Sequence, residues 1–520
     1  MSWGRWCLIG FLVLRLIYWL ITFPNPDEAY YWLWGQHPDW SYYDHPGFQA
    51  WVQGVFASGL GRSTLVLRLP NLLSTALLIV MFHRITRYLY GTEVRDRIWL
   101  LLLLLASSPL LFLFLALAWN DHWLIVFAVL SSCYFVRFAD ATITDRSGKT
   151  TDLLAAALFL GLAGLCKYTA VLLGLSMAAT MVSQRSLRRL WLEPRTYLAL
   201  GLVVVMLMPI ALWNWQQDFL SFRFYGARTA PWSYGSMHWL QPFVFLGLSA
   251  LILGPIQSWA IAQQAHGTRT TASQRRDSVY PKLAWWLFGL STAGFTVLST
   301  VSVSLYYWNI LAYPLLFPLL TDQFYNPERA SSIQRKRPLA VAQGLGLFAA
   351  AGLIFHYNVI PVTTAIGIKD GDSTALYGWP QLSAEVKTAA SRLDKPLLLT
   401  TDYRSASALA YSLDRPDVMA ISGRLDQFDV LYRSEAMQGR DAVLLGESWH
   451  PICPAHLAMF DQIEPAKTLR IQRFGRELQT YTLIVGHGFH AGPPRFPLKP
   501  NYPLSFTRDG ESCSPKSNNP

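Results

Sequence analysis

Residues 7–34 read CLIGFLVLRLIYWLITFPNPDEAYYWLW. Residues 7–23 form an apolar run close to the roughly 20 residues that a bilayer core requires of a helix. The run follows Arg5 and shows no small-residue cleavage site before Pro24, so it reads as a retained span, not a removed signal peptide. Arg15, inside it, must either snorkel to the interface or pair with another helix. Pro24 stops the run, and Asn25-Pro26-Asp27-Glu28 at once starts a new helix. Asn25 serves as N-cap, Pro26 as the first helical residue, and Glu28 at the third position completes a capping box.

Similar apolar runs recur near 64–82, 98–118, 122–138, 153–166, 168–183, 197–213, 240–262, 283–303, 309–322 and 338–356. With the first they imply about 11 spans by hydropathy. The composition agrees: 52% of the 520 residues are hydrophobic and 14% charged, against about 25% charged in soluble proteins. The net charge of +11 does not point to nucleic acid. Its basic residues sit in alternate loops: Arg84, Arg87, Arg95 and Arg97; Arg185, Arg188, Arg189 and Arg195; Arg269, Arg275, Arg276 and Lys282; Arg329, Arg335, Lys336 and Arg337. The positive-inside rule puts these loops and the N-terminus in the cytoplasm, and the remaining loops outside.

The chain divides into a membrane domain, 1–356, and a C-terminal domain, 357–520, which an odd number of spans places on the outer side of the membrane. Two outer loops, 24–62 and 214–239, are long and rich in Trp and Tyr. Within 24–62 a short helix runs through Ala29–Trp34, and Phe48, Trp51, Val52, Val55 and Phe56 form an amphipathic stripe. Such helices lie in the interface with their aromatics down, making the loop a lid on the outer leaflet. In 357–520, helical patterns at 382–393 and 404–413 alternate with apolar strands at 397–400, 418–421, 442–445 and 481–485, which predicts a small α/β domain with an irregular tail. Cys7, Cys133 and Cys166 fall in spans. Cys453 and Cys513 fall in the outer domain, where an oxidising compartment permits a disulfide.

The residues able to do chemistry gather on the outer side. Asp27 and Glu28 follow the first span directly, at a helix N-terminus that favours ionised carboxylates. Glu28 is accounted for by the capping box; Asp27 has less structural reason to be there. Asp121, in Ala118-Trp119-Asn120-Asp121-His122-Trp123, lies in a short outer turn, as either a turn former or a second acid. Lys167, between two apolar runs, either snorkels or stands opposite the acids with room between them for an anion. Arg223 and Arg228 add outer cations suited to phosphate. His37, His45 and His122 lie near Asp39, Asp44 and Asp121, but no helical histidine spacing supports a divalent cation there. Aromatics stack on sugar faces, cations hold phosphate and carboxylates handle hydroxyls, so a lipid-phosphate sugar would use all three.

Three segments of this outer surface carry a resemblance: Pro26-Asp27-Glu28-Ala29-Tyr30-Tyr31-Trp32, Tyr43-Asp44-His45-Pro46 and Arg68-Leu69-Pro70. They resemble the first-loop signature of bacterial polytopic glycosyltransferases, the GT-C superfamily of protein O-mannosyltransferases and the lipid A aminoarabinose transferase. Lys167-Tyr168-Thr169-Ala170, Trp213-Asn214 and Ser221-Phe222-Arg223-Phe224 are similar to it as well, and the resemblance covers most of 1–320. Gly378-Trp379 resembles the outer domain of the same branch more loosely. Gly47 stands where many relatives have a second proline, and Asn120-Asp121 where they often have Thr-Asp or Pro-Asp.

The resemblance implies a GT-C fold in the plasma membrane and transfer of a sugar from polyprenyl phosphate to an envelope acceptor: a glycolipid, polysaccharide or protein. It implies Asp27, Glu28 and Asp121 as the acidic site residues and Tyr30, Tyr43, Asp44 and His45 as substrate contacts. Lys167, Arg223 and Arg228 would hold the donor phosphate. One carboxylate would act as base in an inverting displacement. No cofactor is required, and no glycine-rich nucleotide loop is present, as suits a donor activated elsewhere. A flippase for lipid-linked sugars, or a non-catalytic protein binding envelope glycans, are the competing readings.

Overall fold

The computed structural model describes residues 2–144, 147–229, 239–267, 278–302, 304–325, 333–368, 370–422, 425–432 and 434–490. The chain forms two compact units, Met1–Trp19 with His45–Gln49 and Arg68–Gly352, and Leu20–Asp44 with Ala50–Leu67 and Leu353–Pro520.

The first unit is helical. Five helical stretches among the described residues are long and apolar enough to cross a membrane: Trp3–Ile21, Thr64–Ala106, Asn120–Ile143, Pro194–Gln216 and Arg337–Asn358. A sixth candidate is Gln241–Leu253 with Pro255–Ala265, bent by 110° between them. Gly254 makes that bend at φ +119°, a backbone that L side chains rarely adopt. The 283–303 run forms one helix, Tyr280–Leu298, and the other apolar runs are shorter or broken. The 98–118 run is interrupted by Ser107, Ser108 and Pro109, between Val94–Ala106 and Pro109–Phe114. The 309–322 run contains Pro314 and Pro318 and forms a 3₁₀ segment, Tyr306–Ala312, and one helical turn, Phe317–Leu320.

Helix Asn120–Ile143 is mostly buried and lies against Thr150–Cys166, whose Ala156 carbonyl accepts a 2.7 Å hydrogen bond from Ser131. Thr150–Cys166 in turn meets Pro194–Gln216 through Gly161 and Gly164, where an added Cβ would lie 2.5 Å from Met206 and 2.6 Å from Leu207. Leu12, Leu200, Val205 and Phe348 on the peripheral helices are exposed, as lipid-facing side chains are.

Ionisable groups inside this unit are paired. Arg15 does not snorkel: its guanidinium donates to the Phe112 carbonyl at 2.7 Å and lies over the Phe112 ring. Arg97, expected as a loop cation, is buried. It bonds Glu93 at 2.7 Å and Asp322 at 2.6 Å, with its guanidinium carbon 3.8 Å from the Tyr90 ring centroid.

The second unit joins the first outer loop to the α/β domain. Its sheet runs β2-β1-β3-β6-β4, with β5 also paired to β6. The strands are β1 (Leu397–Thr400), β2 (Val418–Ala420), β3 (Ala442–Glu447), β4 (Phe460–Ile463), β5 (Lys467–Arg473) and β6 (Arg476–Phe489). β1, β2 and β3 are parallel; β4, β5 and β6 add an antiparallel edge. The expected strands and both helices are present, as Trp379–Ala390 and Tyr403–Leu413. β4 and β5 were not expected, since most of their side chains are exposed and polar.

The first-loop helix, Pro26–Gln36, starts as its sequence requires. The Asn25 side chain accepts from Asp27 N at 3.0 Å, and Glu28 accepts from Asn25 N at 2.9 Å. Its aromatics are not an interfacial layer. Tyr30 packs on Tyr403 and Phe428, Trp32 on Tyr411 and Trp34 on Tyr42, all buried within the protein. Gly35 lets this helix cross Phe48–Leu60, where an added Cβ would lie 2.5 Å from Gly54 N. Cys453 is disulfide-bonded, and Cys513 lies outside the described residues.

Arg97→Met would leave Asp322 buried without its cation and should destabilise the first unit by about 3–5 kcal/mol. Thermal unfolding in detergent should show a large drop, and R97M with Asp322→Leu should recover much of it.

Candidate active site

In the first unit, a helix start and a helix end bring an acid and a base together. Helix Asn120–Ile143 starts one residue before Asp121, placing that carboxylate in its first turn. Thr150–Cys166 ends at Lys167, whose extended backbone (φ −159°, ψ 138°) separates it from the next helical segment. Lys167 Nζ lies 2.8 and 3.0 Å from the two Asp121 oxygens, and both side chains are more than nine-tenths buried. The gap for an anion expected between lysine and acid is therefore closed, because in so dry a site each charge's best available partner is the other. The ammonium also lies 5.6 Å from the Tyr307 ring centroid.

Next to Lys167 in sequence, Tyr168 pairs its hydroxyl with Ser221 Oγ at 3.1 Å and packs edge-on to Tyr225. The Tyr225 hydroxyl lies 3.1 Å from His45 Nδ1. The structure thus gathers His45, Tyr168, Ser221 and Tyr225, of which only His45 was a sequence-stated site residue. Arg223 instead forms an exposed 2.6 Å pair with Asp218. The side chain of Arg228 lies outside the described residues.

Asp27, Glu28, Tyr30, Tyr43 and Asp44 belong to the second unit. Glu28 is fully buried and occupied as a helix cap, whereas Asp27 is half-buried. Tyr30 is packed as core, with its hydroxyl accepting from Gln427 N at 2.9 Å. Tyr43 N donates to Gln427 Oε1 at 2.7 Å. His37 Nε2 lies 3.2 Å from the Pro416 carbonyl, and His122 lies against Ser74 and the Leu115 carbonyl.

Among the described residues, Asp402, Glu447 and His450 form a group whose ligand atoms are close enough to hold a metal. They lie at the carboxyl ends of β1 and β3, where open α/β sheets place their functional groups. Sequence reading missed them because 45 residues separate Asp402 from Glu447; strand topology was the available signal. The group is already neutralised internally. Arg404 bonds Asp402 at 2.9 Å, His450 Nδ1 bonds Glu447 at 2.5 Å and Gln479 bonds Glu447 at 3.1 Å. Burial alone would raise the Asp402 carboxyl, but Arg404 and His450 outweigh it and hold it at about 2. Burial opposes protonation of His450, yet its bond to Glu447 and the nearby Asp402 carry it above its ordinary value.

Residues 44–213 match the family of dolichyl-phosphate-mannose-protein mannosyltransferases. The fold is similar to that of ArnT from Cupriavidus metallidurans bound to undecaprenyl phosphate, with a TM-score of 0.59 at 17% identity, covering 95% of this chain and 99% of that one. The family match covers 44–213, and the fold as a whole is ArnT-like. The same ArnT in its apo state gives a TM-score of 0.57, also at 17% identity, covering 93% and 98% of the two chains. Among curated proteins, the lipid A galacturonosyltransferase RgtD of Rhizobium johnstonii (strain DSM 114642 / LMG 32736 / 3841) is 23% identical over 422 residues, 79% of this chain and 82% of its own.

Two outcomes test this geometry. Lys167→Met should destabilise the protein by about 3–5 kcal/mol by leaving Asp121 uncompensated, while K167M with Asp121→Leu should melt near the wild type. For His450, whose folded pKa lies above its unfolded value, the stabilisation is fully present below about 6.5 and is lost as pH rises through the raised value. The melting temperature should fall over that window, and His450→Gln should flatten the fall.

Proposed function

We propose that this protein is an integral membrane glycosyltransferase that moves a sugar from a polyprenyl-phosphate donor to an envelope acceptor. The observation that carries the reading is the buried Asp121–Lys167 pair, inside the segment that matches the mannosyltransferase family. Fold likeness alone would not suffice, because one fold hosts many functions. A dry lysine held by an exchangeable carboxylate is a ready receptor for a leaving phosphate. Phosphate would take over Lys167, and the charge that develops on it would be met without solvent reorganisation.

The reaction is a single displacement. The acceptor hydroxyl attacks the anomeric carbon, the bond from that carbon to the phosphate oxygen breaks, and polyprenyl phosphate leaves with the electron pair. Asp27 accepts the hydroxyl proton, and the anomeric configuration inverts. Lys167 binds the phosphate; Arg223, once released from its exposed pair with Asp218, and Arg228 are the further cations proposed for it. The same proposal takes Tyr30, Tyr43, Asp44 and His45 as substrate contacts. Glu28 fixes the helix that carries Asp27. No cofactor is needed, and a divalent cation would add only a further counter-charge to the phosphate.

The sugar is a hexose or pentose. A lipid A-type glycolipid is the favoured acceptor, on the likeness to RgtD. The setting is the inner membrane, with the N-terminus cytoplasmic and the α/β domain periplasmic. The basic residues of alternate loops and the Cys453 disulfide support that orientation.

Asp27→Asn should fold normally and lose transfer by about 100-fold or more. Glu28→Gln, which keeps a capping oxygen, should melt like the wild type and lose far less activity. Transfer from a radiolabelled polyprenyl-phosphate sugar by purified protein is the measurement. Wild-type rates in folded D27N would dismiss Asp27 as base; a wild-type protein that binds such lipids without ever cleaving them would dismiss the enzyme.

A further inference from the structure

The turns that carry Asp121 and Lys167 also carry polar atoms that the protein leaves unpaired. Asn120 is 1% exposed, yet neither its Oδ1 nor its Nδ2 has a hydrogen-bond partner among the described residues. The same holds for the buried indole N–H groups of Trp119 and Trp123 and the hydroxyl of Thr169. Trp119 and Asn120 immediately precede Asp121, Trp123 lies one helical turn beyond Asn120 on the same face, and Thr169 is two residues beyond Lys167. Trp119 packs on Tyr307, the ring over which Lys167 lies. Native proteins pair nearly all buried polar atoms, so several orphans around one ion pair call for a ligand.

Their chemistry narrows what that ligand is. Two indoles can only donate, and a phosphate oxygen would satisfy them. The Asn120 Oδ1 can only accept, and an ionised phosphodiester has no hydrogen to offer it. Exchanging Oδ1 and Nδ2 changes nothing, since both are unpaired. A group with neighbouring hydroxyls both donates and accepts at each oxygen, and indole faces suit its C–H surface. We infer that Asn120, with Trp119, Trp123 and Thr169, forms the subsite that recognises the hydroxyls of the donor's sugar beside the Asp121–Lys167 pair. The inference rests on the glycosyl-transfer reading and deepens it: Lys167 takes the phosphate and Asn120 reads the sugar.

The test is binding to the full-length protein in nanodiscs, without acceptor. The probes are undecaprenyl phosphate alone and undecaprenyl phosphate carrying mannose, galacturonate or 4-amino-4-deoxyarabinose in turn. The wild type should prefer one of the sugar-bearing lipids over the bare lipid. Asn120→Leu, close in size and apolar, should lose that preference by about 10-fold or more while binding bare undecaprenyl phosphate as before. Its melting temperature should equal or exceed that of the wild type, because it removes an unpaired buried amide. Thr169→Val should move in the same direction by less. The inference is overturned if N120L keeps the sugar preference, if N120L melts well below the wild type or fails to fold, or if the wild type shows no preference. A wild type that shows the preference but never transfers the sugar would sink the enzyme reading and leave this subsite standing.

Discussion

A charge among apolar helices has to be answered by another charge, and Lys167 is answered by Asp121 through both carboxylate oxygens. That demand ties together two helix ends more than forty residues apart in sequence. It requires Thr150–Cys166 to stop where it does and Asn120–Ile143 to begin where it does. The same rule governs Arg97 with Asp322 and Arg15 with the Phe112 carbonyl. Leaving such a charge buried without its partner costs about 3–5 kcal/mol, a large share of a domain's net stability. The membrane unit is thus organised as much by where its few charges pair as by its apolar faces, which lipid would accept in many arrangements.

The first outer loop shows how one residue pair can serve structure and chemistry at once. Glu28 is consumed in closing the helix end, which leaves the adjacent Asp27 half-buried and held in a fixed first turn. The helix is further immobilised by Tyr30 and Trp32, which pack on aromatics of the α/β domain, and by Trp34, which stacks on Tyr42. The loop belongs to the core of the second unit instead of lying as a sheet of aromatics on lipid. A rigid carrier is what a carboxylate needs if it is to be placed within a fraction of an ångström of a reacting hydroxyl.

Much of this was legible from local signals. The capping box at Asn25–Glu28, the stripe from Phe48 to Phe56 and the strands expected at 397–400, 418–421 and 442–445 are patterns of period and propensity, and elements form at each of them. Strands β4 and β5 escaped because an exposed edge needs no apolar alternation. The spans were blurred by proline and by Ser107–Ser108, which break helices that hydropathy alone would run through. The Asp402–Glu447–His450 group escaped because only the sheet's crossover brings those residues together.

By itself, the sequence determined that this is a helical membrane protein with an α/β domain, which residues could carry charge or hydroxyl chemistry, and which superfamily signature they resemble. These follow from composition, periodicity and short motifs, where each residue's neighbours in the chain supply the physics. Only the tertiary structure decided which candidates meet. It closed Lys167 onto Asp121, sent Arg223 to an exposed partner, packed Tyr30 into a core and left the Asn120 amide buried without a hydrogen-bond partner among the described residues. Pairing and desolvation are properties of residues brought close by folding, and no local pattern carries them.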